Sequence, residues 1–262
     1  MRVRAIAGAI AAGAVAAAMT WVVTSRPDGL LHVTVLNTGS STSVLVRTGT
    51  GGNVLIDGGS SPTLLLAALG RVMPPASNHL DLVVLTGGEQ AAVNGLKGLP
   101  GHYSVGSVVT PGGLSPGADS IVAALEGGGA NVLDPDGGAW SFGGATWRCL
   151  GFIAVATAAS MCAVIVGDRT GRALILGGAG TADQEDLCAV FGGALVANLV
   201  VTPPGGAMSP VLLATARPLE LAVPVAQGVP ATPAPPGYLA DRTGVDGDLA
   251  YAGGVSGLAE SA

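Results

Sequence analysis

Asp81 to Leu96 reads DLVVLTGGEQAAVNGL, and this stretch decides how the rest of the chain is read. Leu82-Val83-Val84-Leu85 is a short apolar, β-branched run, the pattern of a buried strand. Thr86-Gly87-Gly88 breaks it with a turn too permissive for strand or helix. Glu89 to Leu96 then predicts the start of a helix. In open α/β sheets a side chain at such a strand end lies at the mouth of the sheet, where sites are built.

Working outward, similar punctuation recurs on both sides. On the N-terminal side, Leu31–Leu36 alternates and Ser43–Arg47 follows after a polar turn. The loop Thr48–Gly52 then leads into Asn53-Val54-Leu55-Ile56-Asp57. Ser60 or Ser61 caps a helix whose first turn holds Pro62 and whose body is Leu64–Met73, with Pro74-Pro75 as its stop. On the C-terminal side, Val105–Thr110 predicts a strand and Asp119–Glu126 a helix closed by Gly127-Gly128-Gly129. Asn131–Leu133 and the Trp140–Trp147 segment are strands around an Asp134–Gly137 turn.

Met161–Val166 and Arg172–Leu176 form a hairpin across Gly167–Gly171. Thr181 with Gln184 is a capping box for a helix to Phe191, closed by Gly192. Leu199–Thr202 is a strand, Ser209-Pro210 opens a helix to Arg217, and Leu219–Val225 is the last strand expected. From Gln227 the chain is rich in Pro, Gly and Ala, and its end is expected to be mobile.

The chain begins differently. Ala5–Thr24 carries no charge, follows Arg2 and Arg4, and is long enough to span a hydrocarbon core of roughly 30 Å as a helix. The arginines in front hold the N-terminus inside and send the rest outward. A cleaved signal peptide, with Ala16-Ala17-Ala18 as processing region, competes with this reading. The apolar run continues through Trp21-Val22-Val23, which favours the anchor. The expected organisation is a membrane anchor over 1–28, an α/β domain over 29–226, and a C-terminal hairpin and tail over 227–262. The domain is expected on the extracytoplasmic side, or secreted if the signal is cleaved.

Composition limits the function. Of 262 residues, 11% are charged, against the roughly 25% usual in globular chains. The formal net charge is −6, and no run of Lys or Arg occurs in the sequence. Stable nucleic-acid binding needs a basic stripe, so direct contact with DNA or RNA is disfavoured. Three Trp, three Tyr and three Phe make stacking platforms for single strands scarce as well. Neither G-x-G-x-x-G nor G-x-x-x-x-G-K-[ST] occurs, and there is no Gly-x-Ser-x-Gly elbow with a downstream His.

Cys149, Cys162 and Cys188 lack metal-site spacing and are expected to be small buried hydrophobes. A single disulfide suits a domain outside the cell, and spacing leaves the pair open. His32 is expected at a surface or edge, and His79 and His102 in loops. None has a second ligand nearby in sequence.

Taken together, these segments resemble the metallo-β-lactamase superfamily, most closely the C-terminal domain of ComEC-type DNA-uptake proteins. Val54–Gly59 match that domain's V-L-I-D-G-G motif residue for residue. Its L-D-V-G-Q-G-D motif survives as Leu36 and Gly39, with Asn37, Ser40, Ser41 and Thr42 replacing polar and acidic members. Thr86, Val93, Gly95 and Leu96 keep the frame of the metal-binding turn T-H-x-H-x-D-H-x-x-G-L, but Gly87, Glu89, Ala91 and Ala92 stand where the resemblance implies ligands. Ala179 replaces the aspartate of L-x-L-T-G-D, and Pro204 and Gly205 replace the histidines of P-H-H-G-S.

The resemblance implies an α/β (α+β) fold: a four-layer αβ/βα metallo-β-lactamase-like sandwich, here preceded by one transmembrane helix. It also implies zinc or manganese, phosphodiester chemistry, and residence beside a membrane channel. Since the ligand positions are vacated, no cofactor is expected. The expectation is a membrane-anchored pseudoenzyme that binds or scaffolds within a DNA-uptake assembly, beside a separately encoded channel protein. The alternative is an active metal-dependent phosphodiesterase with replacement ligands. Asp57 is the best-kept acidic residue: it either faces the site or caps the Gly58-Gly59 turn. Glu89 either joins Asp57 around a hard cation or faces the N–H groups of its own helix start.

Overall fold

Alternating apolar residues build two β-sheets whose inner faces form one core, as the computed structural model of residues 27–74, 77–134, 138–157 and 159–261 shows. The first sheet contains β1 (His32–Val35), β2 (Val44–Arg47), β3 (Asn53–Ile56), β4 (His79–Val84), β5 (Ser104–Val109), β6 (Asn131–Leu133), β14 (Leu249–Ala252) and β15 (Ala259–Glu260). Its spatial order is β15-β14-β1-β2-β3-β4-β5-β6. The second contains β7 (Ala139–Phe142), β8 (Ala145–Ile153), β9 (Ser160–Gly167), β10 (Arg172–Ile175), β11 (Leu199–Val201), β12 (Glu220–Val223) and β13 (Leu239–Arg242), in the order β13-β12-β11-β10-β9-β8-β7.

The two-residue period sorts each strand between layers. Val54, Ile56, Leu82 and Val84 point inward to meet Cys149, Val164 and Ile175 of the other sheet. Leu55 and Val83 point outward, under α1 (Pro62–Val72), α2 (Gln90–Val93) and α3 (Pro116–Gly127). Leu150, Leu174 and Val200 do the same on the far side, under α4 (Thr181–Phe191) and α5 (Pro210–Ala216). Helix, sheet, sheet, helix is the four-layer order expected. Ser61, Ser115 and Ser209 each cap a helix and are each followed by Pro, so these starts follow from local chemistry.

Several expectations need correction. The helix expected from Glu89 is one α-turn, then a 3₁₀ turn over Asn94–Gly98, because Gly95 is drawn tightly against the β3 turn. His79 opens β4 rather than lying in a loop, with Nδ1 2.9 Å from Ser104 Oγ. The box expected from Thr181 and Gln184 is built otherwise. Gly180 is the cap residue and the Asp183 carboxylate accepts its N–H at 2.8 Å. Gln184 is fully buried, donating to the carbonyls of Ala179 and Ala207 and accepting from Ser209 N–H.

Nor is Leu219–Val225 the last strand. β13 extends the second sheet in parallel with β12, and β14 returns to the first sheet, antiparallel to β1. The segment after Gln227 therefore joins both sheets and ends in an antiparallel β14–β15 hairpin, and the Tyr251 hydroxyl donates to Asp241 Oδ2 at 2.7 Å between the sheets. Among the described residues no helix is long and apolar enough to cross a membrane. The anchor expected over 1–28 falls almost wholly on residues 1–26, outside the described residues.

Candidate functional site

β3 and β4 run in parallel and end side by side, so Asp57 and Thr86 become neighbours although 29 residues separate them. Asp57 takes a left-handed conformation, φ +55°, uncommon for a residue with a side chain. Its N–H still continues the ladder to Val84 O, while its carboxylate swings across the strand end. There it accepts from Thr86 N–H at 2.9 Å and from the Thr86 hydroxyl at 2.6 Å. Asp57 thus does not cap its own Gly58-Gly59 turn, as one reading had it. That turn is held by backbone bonds instead: Gly58 N–H to Ala92 O and Gly95 N–H to Gly59 O.

The approach at this turn is close enough to explain which residues keep the resemblance. A Cβ on Gly95 would run into the Gly58 carbonyl, and one on Gly58 would lie 2.6 Å from Leu96 Cγ. One on Gly59 would strike Thr38. Asp57, Gly58, Gly59, Thr86, Gly95 and Leu96 are a single packing unit. The retained positions are those that hold the turns together.

The second sheet closes the other side. Cys162 N–H donates to Thr86 O at 2.7 Å, and Met161 bridges to Gly87. Gly177, at φ +56°, lies so near Thr86 that a Cβ there would collide with its side chain. The Met161 thioether fills the gap between turns, with Cε 3.1 Å from where a Gly87 Cβ would stand and 2.9 Å from that of Gly178. What remains is a pocket of about 40 Å³, lined among others by Ser41, Thr42, Asp57, Glu89, Met161 and Pro204. That is space for little more than one water molecule.

Burial dominates its electrostatics. Asp57 is fully buried, which pushes its carboxyl up to about 7; the two Thr86 bonds oppose this, and the Glu89 charge adds to it. Glu89 is exposed at the N-cap of α2 and makes no capping bond, so it does not serve its own helix start. Thr42 Oγ1 is buried without a hydrogen-bond partner.

The eight altered or retained site positions do not all converge. Asp57, Gly87, Glu89, Ala92 and Pro204 line the one small pocket. Ala91 is exposed on α2, and Ala179 is buried under α4 and α5 in the outer apolar layer. Gly205 instead ties its loop to Pro224 and Thr232 through backbone bonds. Zinc or manganese does not fit these residues: among those described, no group of three or more His, Cys, Asp or Glu could hold a metal ion. Asp57 already spends both oxygens on Thr86.

Met161 is the site residue that sequence reasoning missed. It reads as one apolar residue of a strand, and nothing local signals that it meets a turn of the opposite sheet. The cysteine pair left open by spacing is settled as a juxtaposition. Cys149 and Cys162 are buried on adjacent strands with sulfurs 2.9 Å apart, while Cys188 lies half-buried on α4.

No protein-family model and no curated protein sequence matches the chain. Solved structures do. A CmlA β-hydroxylase E377D mutant is similar with a TM-score of 0.56 at 14% identity, over 84% of this chain and 53% of that one. This chain thus spans about half the length of that protein. A diphosphatase from the PhnP family is similar with a TM-score of 0.52 at 14% identity, over 80% of this chain and 94% of the other. A metallo-β-lactamase from Cronobacter sakazakii with a HARLDQ motif has a TM-score of 0.40 at 16% identity, over 60% and 64%. At these identities the likeness is one of fold, a mixed α/β sandwich.

Proposed function

We propose that this chain is a metal-free domain of the metallo-β-lactamase type that works by binding or scaffolding rather than by hydrolysis. The observation that carries the reading is the donor set at the β4 turn: Gly87, Ala91 and Ala92 supply no ligand, and Met161 fills the space between the turns. Without a bound metal there is neither a hydroxide of lowered pKa nor a Lewis acid for a leaving group. The apolar N-terminal run supports tethering to a membrane with the domain outside the cytoplasm. The Val54–Gly59 and Thr86–Leu96 resemblances support a place in a DNA-uptake assembly beside a separately encoded channel protein.

The test is elemental analysis of the purified full chain, with a phosphodiesterase assay in added Mn²⁺. Less than a tenth of a metal ion per chain and no turnover are expected. About one metal per chain, with turnover abolished by Glu89→Ala or Asp57→Ala, would establish the alternative, a hydrolase with replacement ligands. Carbonate washing of membranes, with protease added from outside, tests the tether: a soluble or protease-shielded protein contradicts it.

A further inference from the structure

The sequence shows no run of basic residues, yet the fold gathers Arg148, Arg169 and Arg172 around one pocket of about 590 Å³. These are three of the 11 Lys and Arg in a chain of net charge −6. The pocket lies on the outer face of the second sheet, where β8 starts, β9 ends and β10 begins. This is the opposite end of β10 from the Gly177-Gly178 turn of the candidate site.

The register explains the convergence. Thr146, Gly167 and Arg172 form one row across three strands, and Arg148 and Ile165 belong to the next. Gly167 leaves the middle of its row empty, and Arg172 leans into that space: a Cβ on Gly167 would stand 2.9 Å from Arg172 Cγ.

None of the three arginines has a carboxylate within ion-pair distance among the described residues. Asp168 lines the same pocket, but its Oδ1 is turned to its own loop, accepting from Thr170 N–H, Thr170 Oγ1 and Gly171 N–H. The Arg172 Nη2 donates to Ala194 O at 2.6 Å, and its other guanidinium donors have no partner among the described residues. The Arg148 guanidinium sits 5.8 Å above the Phe191 ring, and its Nε is buried without a hydrogen-bond partner. Burial, and then the charge of Arg148, lower the Arg172 pKa, as expected for two cations drawn together with no anion between them.

A buried guanidinium N–H left unpaired is costly, and a bidentate oxyanion satisfies it while neutralising both charges. We infer that the Arg148–Arg172 pocket binds a phosphate group, carried by a small free phosphate or by the diester headgroup of an anionic lipid. Thr146 on the same row offers a hydroxyl donor, and Arg169 closes the rim on the loop side.

The experiment is calorimetric titration of the detergent-solubilised full chain with inorganic phosphate, against chloride at matched ionic strength. A second titration uses glycerophosphoglycerol. Saturable phosphate binding that weakens at least tenfold in Arg148→Gln and in Arg172→Gln is expected, with the thermal midpoint in chloride unchanged. Comparable or tighter binding of glycerophosphoglycerol places the phosphate on a lipid headgroup, and binding of inorganic phosphate alone places it on a small molecule. No binding beyond the chloride control, or binding that both variants retain, overturns the inference. Should Arg148→Gln fail to fold, Arg148→Lys keeps the charge but loses the fork, and the same weakening is required of it. Metal content does not enter this readout, so it stands or falls apart from the scaffold reading.

Discussion

Replacing Asp57 by Asn isolates the energetics of the buried carboxyl. The folded protein binds the Asp57 proton more tightly than the unfolded chain, since burial raises its pKa from 3.8 to about 7. Its stabilising contribution is therefore fully present below 3.8, declines as the unfolded chain releases its proton, and is lost as pH rises through 7. Three tenfold steps in proton affinity, each about 1.4 kcal/mol, put the span between acid and alkaline limits at about 4 kcal/mol. Asparagine accepts the Thr86 N–H through Oδ1, and Thr86 Oγ1 can turn to accept from its amide. It also tolerates the φ of +55°. Asp57→Asn is accordingly expected to be more stable than the wild type by up to about 4 kcal/mol at pH 9, and within about 1 kcal/mol of it at pH 4. Urea unfolding at a series of pH values, read by the fluorescence of buried Trp147, measures the difference directly. A difference that does not change with pH, or a wild type more stable than the variant at pH 9, would refute the reasoning.

Other perturbations test the packing around that carboxyl. Met161→Ala empties the gap between the Gly87 and Gly178 turns and should cost about 2–5 kcal/mol in urea unfolding. Gly95→Ala drives a methyl into the Gly58 carbonyl and should cost at least about 3 kcal/mol, whereas Gly70→Ala, with open space on α1, should gain about 0.5–1 kcal/mol. The Cys162 thiol is pushed well above its ordinary pKa by its contact with Cys149 and then by burial. Ellman titration of native protein should therefore register half-buried Cys188 first, with the other two thiols reacting only on unfolding.

The sequence by itself determined the strands up to β12 and several helix ends, because these are short-range matters. The alternation in Leu31–Leu36 and the runs Val54–Ile56 and Leu82–Val84 select strand, and Ser-Pro at 61–62 and 209–210 selects helix starts, whatever the rest of the chain does. It also shows that the turn after β4 carries no histidine. Only the tertiary structure decided what occupies that turn and what its surviving residues do. Met161 reaches Gly87 from 74 residues away and from the opposite sheet. Asp57 turned from its own glycine turn to Thr86 because parallel pairing of β3 and β4 sets their ends side by side. The pairing of β14 with β1 took a Pro/Gly-rich segment, which local propensity reads as a tail, and placed it in the first sheet. The arginine pocket arose the same way, from residues scattered over three strands whose register aligned them across Gly167. A two-residue period specifies which face a side chain takes, but not which distant strand will lie against it.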